Sequence, residues 1–451
     1  MKKAFYLFFI AFLVVVLAAC SKPGTGKEGT PKDPGQEEPA GNDKEKENEE
    51  EPGTEEPVAI EPEEGAELII WGGGDQEDAW AQYVGEKFTE KYGIPLTYED
   101  VGHTDAPGKL QTDGPAGLGG DVFMAPHDHV GTMNAAGLIY ENFFVDEYKE
   151  RFMEGAMQGV SIVSDGELKT YGYPLAIETV ALYYNQDLLD AMGFEPAETM
   201  DELIEQSKEF MEKNKGSYGF MYEPGNFYYN HAFLGGYDGY VFGENNTNPE
   251  DIGLNNAGAI KAGELLQRIH SEILPLKKED ITGDVIGEYF NTGKLLYYLS
   301  GPWSLKGHDE SGVNYGVKTL PKLENGKVPT TFSGVKAFYV NSYSKYPQAA
   351  TLFAQFATSD EMLEKRFEMT GQLPPALALL ESKAIQEDPH NLAFLDQAQY
   401  AISMPNIPEM QPVWGGMEVA FTAIWNGDAQ PKEALDKGVQ QIKEAIESQT
   451  E

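Results

Sequence analysis

Between Tyr171 and Leu189 the chain reads Tyr-Gly-Tyr-Pro-Leu-Ala-Ile-Glu-Thr-Val-Ala-Leu-Tyr-Tyr-Asn-Gln-Asp-Leu-Leu, with one carboxylate, Glu178, in its apolar middle. The β-branched and aromatic content predicts a buried strand. A buried carboxylate is costly unless it is paired or faces a wet cavity. Glu178 is therefore either an ion-pair partner or an acceptor offered to a cleft. A second group follows Glu223, where Gly225 and Asn226 precede Phe227, Tyr228 and Tyr229. Three adjacent aromatics beside such turn residues are hard to bury together. Rings beside carboxylates suit a sugar, because rings cover its CH-rich faces and carboxylates accept its hydroxyl hydrogens. The third group is His127-Asp128-His129. Two histidines flanking an aspartate could ligate a metal, but His103 lies in a different loop and Cys20 is the only cysteine. A polar binding loop with no metal is the better expectation. The Gly-rich Trp71-Gly72-Gly73-Gly74-Asp75 has neither a phosphate-loop ending nor dinucleotide spacing, so no nucleotide cofactor is expected.

These residues need elements to hold them. Glu67 to Trp71 predicts a strand, Gly72 to Gly74 a turn, and Asp75 a helix N-cap. Trp80, Tyr83, Val84, Lys87, Phe88 and Tyr92 follow at helical spacing, with Gly93 as the stop. Ile94 to Glu99 is the next strand. Such a βαβ unit implies a parallel sheet with ligands at the carboxyl ends of its strands, where Asp75 sits. Gly120 to Pro126 is a further strand that delivers His127 to His129 to the same end. The stretch from Pro174 to Tyr184 is expected as one strand that crosses from one half of the molecule to the other.

The ends of the chain have a different character. Lys2 and Lys3 precede an apolar run from Phe5 to Leu17, which ends Leu-Ala-Ala-Cys at Cys20. That is a signal peptide over residues 1–20 with the form of a bacterial lipobox, so Cys20 is the expected lipidation site. Residues 21–65 are rich in Gly, Pro, Glu and Lys and poor in large apolar groups, and form a disordered acidic tether. The formal net charge of −41 repels phosphate backbones and argues against nucleic acid as a partner. The remainder is long enough for two lobes.

Trp71 with Asp75, His127-Asp128, Tyr173-Pro174 with Glu178, Gly301-Pro302-Trp303, and Met404-Pro405-Asn406-Ile407-Pro408 follow one another in an order that resembles maltose/maltodextrin-binding proteins. These are extracellular solute-binding proteins of ABC sugar importers, here in lipoprotein form. The resemblance implies an α/β clamshell of two lobes, each a mostly parallel sheet flanked by helices, joined by crossover segments. Lobe one would be 66–176 plus 337–383, and lobe two 181–332 plus 384–451. It also implies that Asp75, Asp128, Glu178 and Glu223 accept sugar hydroxyls. Trp303, Trp414, Phe227, Tyr228 and Tyr229 would stack, and Gln76, His129 and Met404 would join the site. Gln76, His129 and Glu418 stand where the family often carries a basic residue, and Gly415 replaces a tyrosine. Trp303 could instead cap a core, and Trp414 and Trp425 could both be core residues of a helix. The implied function is that of a monomeric receptor without catalytic activity, lipid-anchored at the extracellular face of the cell membrane. It would bind maltose or maltodextrin and deliver it to membrane-spanning permease subunits. The alternatives are a binder of another oligosaccharide, a secreted glycosidase, or a metal-binding lipoprotein using His127 and His129.

Overall fold

The computed structural model describes residues 60–73, 77–147 and 149–450. The signal segment with Cys20, most of the tether, and Asp75 and Gln76 lie outside the described residues.

The expected βαβ unit is present. Strands β1 (Leu68–Gly72) and β2 (Leu96–Asp100) are parallel and joined by the helix Glu77–Tyr92. That helix buries Trp80, Ala81, Val84 and Phe88 at three- and four-residue spacing. It carries Glu77 and Asp78 in its first turn and Lys91 in its last, matching the helix dipole. It stops at Gly93, whose φ of 72° suits the missing Cβ. Strand β3 (Val122–Pro126) pairs parallel to β1 on its other side. A hairpin of β4 (Ser161–Ser164) and β5 (Glu167–Thr170) turns at Asp165-Gly166, both with positive φ.

The predicted crossing strand is two strands. β6 (Tyr173–Glu178) belongs to the first sheet and β7 (Ala181–Asn185) to the second. Between them the Thr179 hydroxyl bonds the Phe332 carbonyl at 2.9 Å, which ties the outgoing segment to the returning one. The second half adds β8 (Tyr218–Met221), β9 (Asn248–Ile252), β10 (Leu295–Ser300) and β11 (Tyr315–Lys318). The chain then returns through β12 (Phe332–Val340), which also pairs with the short β13 (Ile402–Ser403). The first sheet runs β13-β12-β3-β1-β2 with β6 also on β12, and the second runs β11-β7-β10-β8.

The second sheet departs from the mostly parallel expectation. β7 is antiparallel to both β10 and β11, and only β8 and β10 run parallel. Parallel neighbours need a crossover connection. β7 enters straight from the first sheet, so its direction is set by the crossing and not by a preceding helix. β12, the returning strand, is antiparallel to β3 and β6 for the same reason.

Each sheet has its own core. Trp80, Phe88, Phe338 and Phe353 pack on the first, with the helices Pro347–Ala357 and Asp360–Thr370. Tyr183, Phe290, Tyr298 and Trp425 pack on the second, where Val413, Phe421, Leu435 and Ile442 of the last two helices also lie. The molecule is a two-lobed α/β protein. Ordered contacts begin before Ala66, because the Glu63 carboxylate accepts the Gln348 and Ala349 backbone N–H groups at 2.8 and 3.1 Å. Glu63 thus caps the start of a first-lobe helix, a position where carboxylates are favoured.

His231 is fully buried against Phe332, with ring centroids 3.6 Å apart. Burial pushes its pKa from 6.5 to about 3, against a small opposing effect of the Thr330 backbone. The unfolded chain takes up the proton that the native state refuses. This contribution to stability is whole above pH 6.5 and is lost as pH falls toward 3. At pH 5.5 the loss is about 1.4 kcal/mol. Urea unfolding at pH 7 and pH 5.5 should show a smaller drop in His231→Phe than in the parent. An equal drop in the two proteins would mean that the ring is not held neutral.

Candidate functional site

A cleft of about 510 Å³ lies between the two sheets. The first lobe contributes Glu77, His103, Asp128, His129 and Gln372, and the crossing strands contribute Glu178 and Lys336. The second lobe contributes Tyr228, Tyr229, Trp303, Met404, Gln411 and Trp414.

Its floor is a buried charge cluster. Lys336 opposes Pro126 and Ala176 in the sheet, which aims its side chain at the cleft. Its Nζ stands 2.6 Å from Glu77 Oε1 and 3.2 Å from Glu178 Oε1. Arg366 Nη2 and Gln372 Nε2 donate to the same Glu77 oxygen at 2.9 and 3.1 Å. Burial alone would raise the Glu77 pKa, but Arg366 and Lys336 outweigh it and hold the carboxyl well below its usual range. Burial opposes the Lys336 charge too, yet Glu178 and Glu77 keep its pKa raised. Glu77 and Lys336 are therefore both ionised at neutral pH. Both readings of Glu178 apply: the carboxylate is paired with Lys336 and also borders the cleft. Glu77, Lys336, Arg366 and Gln372 were not foreseen. Glu77 is 259 and 289 residues from its cationic partners, and nothing in local pattern joins them.

Asp128 sits at the carboxyl end of β3, as expected, and is 3% exposed. The Trp414 indole donates to its Oδ2 at 2.9 Å, and Gln411 Nε2 donates to its backbone carbonyl at 3.0 Å. His129 Nε2 lies 4.0 Å from the same carboxylate oxygen. His127 faces the other way. Its Nδ1 accepts the Val335 N–H at 2.9 Å, which leaves Nε2 to donate to the Met404 carbonyl at 3.2 Å. Both nitrogens are thus engaged, and burial pushes the pKa of His127 below its usual range. Among the described residues no group of three or more His, Cys, Asp or Glu could hold a metal ion.

The aromatic wall comes from two turns. Asn226 caps the helix Phe227–Gly236 by accepting the Tyr228 N–H at 2.9 Å, and Tyr228 and Tyr229 then border the cleft. Burial pushes both phenols well above their usual range, helped by Glu178 for Tyr228 and by Glu223 for Tyr229, so each remains an O–H donor. At the end of β10, Gly301 and Pro302 turn the chain and present Trp303, whose ring lies 6.2 Å from Tyr228. A side chain at position 301 would collide with that ring. Trp303 and Trp414 are both half-buried cleft residues. Trp425 is core, fully buried, with its indole on the Leu276 carbonyl.

Two expected members stand elsewhere. Phe227 is 1% exposed and packs on Phe421 and Trp414 at centroid distances of 6.0 and 5.8 Å. It backs Trp414 instead of lining the cleft, because the first helical residue after Asn226 turns inward. Glu223 also stands off the lining. It accepts the Gly283 backbone N–H and lies in the field of Lys278, Glu418 and Asp284. Asp75 and Gln76 lie outside the described residues, just ahead of Glu77.

Aromatic rings and carboxylates lining one cleft, with amide, phenol and imidazole groups among them, form a surface for a neutral polyhydroxylated ligand with apolar ring faces. The family described as bacterial extracellular solute-binding protein matches residues 84–393. A galactooligosaccharide-binding protein of Bacillus subtilis is 31% identical over 397 residues, covering 86% of this chain and 92% of that one. The maltodextrin-binding protein MdxE of the same organism is 33% identical over 340 residues, covering 75% and 80%. A cyclo/maltodextrin-binding protein solved with maltotetraose superposes with a TM-score of 0.70 at 34% identity, over 84% of this chain and 97% of that one. MalX from Streptococcus pneumoniae, solved with maltopentaose, gives a TM-score of 0.76 at 27% identity, over 84% and 100%. The chain therefore belongs to the bacterial extracellular solute-binding proteins, a family of binders and not of enzymes.

Proposed function

We propose that the cleft binds an α-glucan, maltose or a longer maltodextrin, and that the protein hands it to the permease subunits of an ABC importer. The observation that carries this is that Trp303, Tyr228 and Trp414 line a single cleft between the lobes together with Asp128 and Glu178. The names of the relatives that bind maltodextrin support the choice of sugar. A ligand touching both lobes stabilises the closed arrangement by its differential affinity. Asp75, Gln76 and Met404 complete the site in this reading, and His129 supplies a donor beside Asp128. The lobes divide at 66–176 plus 337–383 and 181–332 plus 384–451, with the crossings at β6–β7 and β12. The protein works as a monomer held by a lipid on Cys20 at the extracellular face of the membrane, and the acidic tether gives it reach.

A galactooligosaccharide is the second reading, because a relative named for that ligand matches across most of both chains. Calorimetric titration of residues 60–451 with maltose, maltotriose, maltotetraose and a β-1,4-galactotriose separates the two. Tighter binding of the α-glucans is expected. Binding of the galactotriose alone would transfer the assignment to the second reading.

A further inference from the structure

Gly334 lies inside β12, directly opposite Glu178 on β6, and borders the cleft. Lys336, two residues on, projects from the same face of the strand, because side chains alternate with a period of two. A side chain at 334 would therefore also stand on the cleft face, and the chain carries none there.

Glycine is costly at such a place. It gives up more backbone freedom on folding than any other residue, and in a strand it offers nothing to pack. Two structural needs would account for it, and neither applies. Its φ lies outside the left-handed region. Nor is the space filled. A Cβ at 334 would stand 3.4 Å from Tyr228 Oη, 3.6 Å from Met404 Cε and 3.8 Å from the Glu178 carbonyl oxygen, all ordinary contacts. Gly219 in β8 and Gly316 in β11 differ, because a Cβ there would collide with Ser207 and with Tyr184 respectively. The fold thus has room for alanine at 334. Tyr228, Met404 and Glu178 all line the cleft. The absent methyl group leaves a notch in the cleft floor, bounded by a phenol, a thioether methyl and a backbone carbonyl. A glycine in a strand interior that the backbone does not require marks a close approach by a ligand.

We propose that Gly334 seats the ligand: it lets one sugar ring settle against the crossing strands, with a C–H edge on Met404 and hydroxyls in reach of Tyr228 and Glu178. The proposal rests on the saccharide reading above and names the residue that sets how deep the ring lies. A methyl group at 334 lifts the ring from the floor and lengthens those hydrogen bonds. The seat lies at the crossing, where a disaccharide and a longer chain both rest, so position 334 acts on both alike.

The test compares Gly334→Ala and Gly334→Val with the parent, by calorimetry against maltose and maltotetraose and by thermal unfolding without sugar. Gly334→Ala should lose roughly tenfold in affinity for both sugars, the effect of one misplaced carbon in a fitted pocket. Its melting temperature should equal or exceed that of the parent, because a strand glycine has been removed. Gly334→Val, which fills more of the notch, should bind more weakly still. Weaker binding by a protein no less stable is the opposite of what a structural glycine gives. An alanine variant that binds as tightly as the parent, or one that melts well below it, would overturn the proposal and leave the saccharide reading in place. A parent that binds neither sugar would defeat that reading, and the proposal with it.

Discussion

Replacing Lys336 by methionine is expected to cost roughly 3–5 kcal/mol of folding stability, the range for breaking a buried ion pair. Lys336 is 5% exposed and serves two carboxylates at once. Its removal leaves Glu178 without its cation, and Glu77 with Arg366 as its remaining charge partner. Methionine fills most of the volume, so a cavity adds little to the effect. The loss should therefore shrink when the charges are removed together. Glu178→Gln in the Lys336→Met background should recover a substantial part of it. Urea unfolding of the two variants measures both quantities. A single-variant loss under about 1 kcal/mol would mean that the cluster is solvated and not buried.

Trp303→Ala should weaken saccharide binding by at least about 2 kcal/mol, roughly thirtyfold, because it removes the largest flat apolar surface of its wall. The fold should tolerate the change. The turn that carries Trp303 is held independently by the Tyr183 hydroxyl on the Gly301 carbonyl at 2.7 Å, and the indole is only half buried. Affinity should therefore fall while the melting temperature and the stoichiometry stay near those of the parent. Glu178→Ala should lose about 1–2 kcal/mol in affinity, as a charged acceptor does, and should also destabilise the protein, because Lys336 loses a partner. The contrast separates a residue that only faces the ligand from one that also belongs to the core. Unchanged affinity in both variants would remove them from the site.

Local pattern carried much of the architecture. The spacing of Trp80, Val84 and Phe88 with Gly93 behind them marks a helix end that the structure repeats within a few residues. The strand before His127 was legible because its apolar run is short and closed by turn residues. The crossing at Glu178 was legible as a position but not as two strands. A break at Thr179 follows from hydrogen bonding to Phe332, far away in the chain. The direction of strands in the second lobe was illegible for the same reason, since pairing is a property of tertiary order. At the cleft, the residues that declare themselves by type were visible: aromatics beside turn residues and carboxylates at strand ends. Those that act through distant partners were not, and Glu77 with Lys336 and Arg366 is the main case. Phe227 shows the converse error. Helix phase decides which of three adjacent rings faces the ligand, and a shift of one residue moves a side chain about 100° around the axis.

The most direct test is a crystal structure of the protein grown with maltotetraose. The proposed function requires a glucan between the two lobes, with rings against Trp303 and Trp414 and hydroxyls on Asp128 and Glu178. A cleft that stays empty at saturating sugar, or a glucan bound elsewhere on the molecule, would contradict it.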